Sequence, residues 1–128
     1  MRNKVTFDTV KRIGLALPEV EESTTYGVSA LKVRGKLLAC PAINKSAEPG
    51  SIAIRVTFDQ RDELIADAPD IYYVTDHYVN YPSVLVRLSR IDTDALRGLL
   101  RMSWDYVTSK TPARKKKPLT RSARVKSV

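Results

Sequence analysis

The chain has 128 residues, with 22 Lys and Arg against 14 Asp and Glu, one His and one Cys, for a formal charge of +8. One cysteine excludes an internal disulfide, one Cys with one His excludes a zinc site of the usual Cys/His kind, and no apolar run approaches the roughly 18 residues of a membrane span. The 43% hydrophobic content is that of a globular domain, and Met1-Arg2-Asn3-Lys4 leads into no continuous apolar segment, so a cytoplasmic protein is expected.

From the N-terminus, Thr6 is placed to cap a helix whose positions Phe7, Val10, Ile13, Gly14 and Leu17 fall on one face, with Pro18 ending it. An acidic corner (Glu19, Glu21, Glu22) follows. Residues Ser23 to Tyr26 read as extended, and Gly27 marks a turn. Leu31-Lys32-Val33 and Lys36 to Ala39 flank Arg34-Gly35, a hairpin signal. Beyond the loop Asn44 to Gly50, a strand Ser51 to Val56 should face Ile52, Ile54 and Val56 inward and Ala53 and Arg55 outward. Thr57 and Gln60 form a capping box opening a brief helix that runs to about Asp67, before Pro69. Ile71 to Thr75 and Tyr78 to Tyr81 are rich in aromatic and β-branched residues and are expected to be extended. In the strand Val84 to Leu88, Val84, Val86 and Leu88 share a face. Asp92 or Thr93 then caps the longest helix, with the stripe Leu96, Leu99, Leu100, Ser103 and Val107. Strands joined by short turns predict an α+β domain, an antiparallel sheet with helices on one face.

The charge is unevenly placed. Eight basic residues and no acid occur in 110–128, leaving 14 of each sign in 1–109. The expected organisation is therefore a neutral domain over 1–109 and a basic extension over 110–128. Too poor in apolar residues to offset its ordering entropy, that extension should be disordered. Its Arg114, Lys115, Lys116, Lys117, Arg121 and Arg124 are candidate phosphate contacts. Within the domain, Lys32, Arg34 and Lys36 form the one basic cluster. A three-residue loop Val33-Arg34-Gly35 would pair Lys32 with Lys36; a two-residue Arg34-Gly35 turn would pair Lys32 with Leu37 and disperse the cluster.

Leu17-Pro18-Glu19-Val20-Glu21-Glu22-Ser23 after a short helix resembles the opening of the MmcQ/YjbR family. Lys32-Val33-Arg34-Gly35-Lys36, His77 ahead of the last strand, and Ser103-Trp104-Asp105-Tyr106-Val107 extend the resemblance over roughly 6–109. It implies a frataxin-like, or double-wing, α+β fold and a DNA-binding role. Asn80-Tyr81 and Ser83 stand where many members carry a basic pair and a tryptophan. The acidic ridge on which frataxin-like iron binding depends is missing, since the first helix offers Asp8 beside Lys11 and Arg12.

Other chemistry is thin. Tyr72, Tyr73, Tyr78 and Tyr81, with Arg87, offer stacking or packing. Asp76-His77 are neighbours along an extended segment and would point to opposite faces, which suits a structural histidine better than a catalytic pair. Cys40, in the run Leu37 to Ile43, reads as a small core residue. No phosphate-cradling glycine loop is present. These readings predict a non-enzymatic protein without metal or cofactor, binding nucleic acid with low sequence specificity through the extension and the hairpin. The competing expectation is a protein-interaction or small-ligand module.

Overall fold

Alternating apolar positions pair into one sheet, and the three-to-four-residue stripes supply the helices that cover it. The structure, a computed structural model, describes residues 5–25 and 27–109. The basic stretch 110–128, with Arg114, Lys115, Lys116, Lys117, Arg121 and Arg124, lies outside the described residues, as does Tyr26. In chain order the elements are α1 (Phe7–Leu15), β1 (Val20–Thr25), β2 (Val28–Val33), β3 (Lys36–Pro41), β4 (Ser51–Arg55), α2 (Phe58–Asp67), β5 (Tyr72–Tyr73), β6 (Ser83–Arg87) and α3 (Thr93–Thr108). The strand order is β1-β2-β3-β4-β6-β5, with every neighbouring pair antiparallel.

α1 and α3 pack on each other and on one face of β1 to β4. Leu64 and Ile65 of α2 join the same core. Val10, Leu31, Ile54, Val84, Val86, Leu96 and Leu100 are fully buried there, each contributing about 1.5–3 kcal/mol. The helix starts follow the sequence signals. Thr57 Oγ1 accepts the Gln60 N–H and Gln60 Oε1 accepts the Thr57 N–H, both at 3.0 Å. Asp92 caps α3, its Oδ1 accepting the Ala95 N–H at 2.8 Å. The buried face of α3 is the stripe Leu96, Leu99, Leu100, Ser103 and Val107. Glu21 and Glu22 belong to β1 rather than to a corner, because that strand begins at Val20.

Ala53 faces outward as expected but is covered, and residues 78–81 depart from expectation. Ala53 points away from Ile52 and Ile54, yet is only 7% exposed, and Leu85 on the same outer face is fully buried. Loops fold over that face. The Tyr78 hydroxyl accepts the Asn44 N–H at 3.3 Å, Ser46 and Thr75 share a hydroxyl bond of 2.8 Å, and Tyr73 reaches Ser51 Oγ at 2.6 Å. Residues 78–81, expected to be extended, instead form consecutive turns, with Tyr78 N–H donating to Thr75 O at 2.9 Å and Tyr81 N–H to Tyr78 O at 3.0 Å. Asp76 and Asn80 favour turns, and that local preference outweighs the β-propensity of the tyrosines.

Candidate nucleic-acid interface

The hairpin between β2 and β3 turns in two residues. Val33 pairs with Lys36, and Lys32 with Leu37. Arg34 (φ 53°) and Gly35 (φ 78°) both lie in the left-handed region, as a turn that matches strand twist requires. The cluster of three cations therefore disperses. Lys32 alternates with the buried Leu31 and Val33 and stands on the outer face of the sheet. Lys36 is exposed at the tip. Arg34 is engaged by Glu19, Nε to Oε1 at 2.9 Å and NH2 to Oε2 at 3.4 Å. The hydrogen bond and charge of Arg34 hold the Glu19 carboxyl below its ordinary range, and Glu19 in turn raises the guanidinium. Glu19 (φ 64°) and Arg34 are the non-glycine residues with positive φ among those described, and they face each other. An exposed ion pair is weak support for two left-handed residues, so the register of the hairpin and the α1–β1 corner must hold them.

A cation that sequence reasoning did not select joins Lys32. Arg55, at the end of β4, alternates with the buried Ile54 and Val56 and shares the outer face with Cys40. Burial raises the Cys40 thiol, and the nearby Arg55 charge works against that rise. Lys32 and Arg55 sit one pleat beyond Ala30 and Ala53 toward the Arg34–Gly35 turn, roughly 10 Å apart across two strand spacings. Neither they nor Lys36 has an ion-pair or hydrogen-bond partner among the described residues. The signal was present in the strand pattern, which set Arg55 outward; its neighbours appear only once β3 is laid against β4.

The same end of the sheet gathers three further features. β6 starts there, since Arg55 pairs with Ser83. α2 starts there, since Val56, beside its cap Thr57, donates to Pro82 O at 3.0 Å. α3 ends there, because the Trp104 indole N–H donates to Pro18 O at 2.9 Å, just ahead of the β1 residue Val20 that pairs with Val33. Ser109, the last described residue, follows about one turn later at this end. The turns 74–82 are fixed by Arg61 of α2, which is 7% exposed and donates through NH1 to Val79 O (2.9 Å) and Tyr81 O (3.2 Å), with Cζ 5.0 Å from the Phe58 ring. Tyr81 and Phe58 are left exposed beside it.

The remaining candidates are engaged elsewhere. Tyr72 is buried, and burial followed by the Asp92 charge raises its hydroxyl pKa. Tyr73 stacks under Arg87 (Cζ 4.1 Å from its ring centroid), and Arg87 is held bidentately by Glu48 at 2.9 and 2.7 Å. His77 lies exposed in a turn, edge-on to Tyr78 at 4.9 Å, so the strand geometry expected for Asp76-His77 does not apply. Cys40 is half-buried. Among the described residues no three His, Cys, Asp or Glu side chains gather as a metal site, and no helix is long and apolar enough to cross a membrane. A cleft of about 1290 Å³ opens at the opposite end of the sheet, near Thr6, Gly50 and Asp92. Its charged side chains are largely occupied internally: Arg87 with Glu48, Asp92 with its cap, Asp94 with Arg97 at 3.1 Å.

Comparison with known proteins agrees with this architecture. The profile of the family described as YjbR matches residues 15–106. Uncharacterized proteins of Mycobacterium bovis and Mycobacterium tuberculosis are each 34% identical to the chain over 113 residues, covering 77% of it and 85% of their own length. The crystal structure of Deinococcus radiodurans protein DR2400, with a domain designated DUF419, superposes with a TM-score of 0.68 at 22% identity, covering 86% of this chain and 84% of that one. That likeness establishes a shared fold.

Proposed function

This chain belongs to the YjbR family, and from that placement we propose that it is a non-enzymatic nucleic-acid-binding protein acting mainly through phosphate contacts. The observation that carries the reading is that Lys32 and Arg55, neither of them ion-paired among the described residues, stand on one outer face at the end of the sheet where the hairpin turns, with Lys36 at the hairpin tip on the other face and Ser109, the residue before the basic sequence 110–128, at the same end. Free cations on a rigid surface fix register, and the basic sequence 110–128 would add affinity without sequence preference. Arg34, engaged by Glu19, is left out of the phosphate-contacting set.

A salt titration of duplex-DNA binding tests this. If about half of the eight cations in 110–128 meet phosphates, they contribute roughly −3 to −4 to the slope of log affinity against log salt, at about −0.9 per contact. Replacing Lys32, Lys36 and Arg55 by Ala should flatten the slope by a further 2–3 or so. Neutralising Arg114, Lys115, Lys116 and Lys117 should weaken binding to unrelated sequences about equally. Absence of binding at low salt would defeat the reading and favour a protein-interaction or small-ligand role.

A further inference from the structure

We propose that the interface takes single-stranded nucleic acid, with bases stacked on Tyr81 and Phe58 and phosphates on Arg55 and Lys32. This rests on the nucleic-acid reading above and adds the form of the partner. Tyr81 is 57% and Phe58 44% exposed, so the fold gains little from either ring. Both are nevertheless held in place. The buried Arg61 guanidinium donates to the Tyr81 carbonyl at 3.2 Å and to Val79 at 2.9 Å, and lies 5.0 Å from the Phe58 ring centroid. One side chain on a helix thus fixes the Tyr81 backbone and packs against the Phe58 ring, leaving both residues exposed. Arg61 Nε is itself buried without a hydrogen bond, its nearest carboxylate being Asp62 at 3.8 Å.

The segments that carry the two rings adjoin Arg55 along the backbone. Ser83, which pairs with Arg55, donates to Tyr81 O at 2.8 Å, and Phe58 follows Arg55 by three residues. A duplex keeps its base faces stacked inside and offers such a surface phosphates, sugars and groove edges but no base face. A single strand exposes a π-face at every base, and ordered aromatics beside free cations suit that polymer. The acids Asp59, Asp62, Glu63 and Asp67 are exposed on α2, with Asp59 beside Phe58 and Asp62 one turn on, so phosphates would be repelled along the helix. The strand's path therefore leads from Phe58 and Tyr81 toward Arg55 and Lys32.

The test compares the full chain with Tyr81→Ala, Phe58→Ala and Tyr81→Phe variants, titrated with an oligothymidylate of roughly twelve nucleotides and with a duplex of the same length at one salt concentration. Urea unfolding of each variant checks the fold. The expected result is a single-strand preference of about tenfold or more, reduced by about tenfold in each Ala variant, with duplex affinity changed less than about twofold and with Tyr81→Phe retaining the preference. Equal affinity for the two forms, or equal losses on both from Tyr81→Ala, would overturn the single-strand inference and leave phosphate binding standing. Failure to bind either form would overturn the nucleic-acid reading itself.

Discussion

Replacing Arg61 by Met tests how the presented aromatics are ordered. The substitution keeps most of the side chain's apolar length and removes the two donors to Val79 O and Tyr81 O and the contact with Phe58. Hydrogen bonds from a charged donor contribute about 1.5–3 kcal/mol each, and the ring contact about 0.5–1 kcal/mol. Against this, water reaches the exposed Val79 and Tyr81 and can replace the lost donors, and removing a buried guanidinium returns its desolvation cost. The net expectation is a loss of about 2 kcal/mol. With a urea dependence of roughly 1–2 kcal/mol per molar for a domain of this size, the unfolding midpoint should fall by about 1–2 M. Amide hydrogen exchange should speed up selectively in residues 76–82. A midpoint within about 0.3 M of the parent, with unchanged exchange there, would refute the anchoring part given to Arg61.

Further outcomes follow from other contacts. A Cβ at Gly14 would stand 2.5 Å from Leu31 Cδ1, and Leu31 is fully buried. Gly14→Ala should therefore cost about 1–2 kcal/mol net of its helix-propensity gain, lowering the melting temperature by several degrees; a rise would contradict the close approach of α1 to β2. The hydrogen bond from Arg87 holds the Glu48 carboxyl below its usual value of 4.5. A depressed folded pKa gives stability that is present above the unfolded value and lost as pH falls through the folded one. Denaturant midpoints taken from about pH 6 to about pH 3 should thus fall further for the parent than for Glu48→Gln, and parallel curves would refute the pairing. Burial raises the Cys40 thiol, so an aromatic disulfide reagent at neutral pH should modify it at least tenfold or so more slowly than free cysteine; equal rates would contradict its half-buried position.

Local signals were the most legible part of the fold. The α3 stripe and the Thr57–Gln60 box depend on residues three or four apart, and both form as the spacing requires. Leu85 was opaque because its cover comes from loops around Asn44 and Tyr78, 34 residues apart, whose meeting no periodicity encodes. The Glu19–Arg34 pair, 15 residues apart, was hidden for the same reason, so Arg34 looked as free as Lys32. The hairpin register could not be chosen from Arg34-Gly35 alone. In the structure Arg34 and Gly35 both take positive φ as a two-residue turn requires, and a bulge at Leu38 shifts the register beyond it, Leu31 pairing with Ala39 while Lys32 pairs with Leu37. Arg55 was visible as an outward strand residue, but its alignment with Lys32 is a property of the assembled sheet.

The most direct measurement of the interface is a residue-resolved amide NMR titration of the full chain with a short oligonucleotide. The account predicts shift changes concentrated at Lys32 to Lys36, Arg55 to Phe58 and Tyr81 to Ser83, the end where the free cations and exposed rings meet. Residues 88–94 around the opposite cleft should stay unperturbed. Changes centred on that cleft, or none at any described residue at low salt, would contradict it.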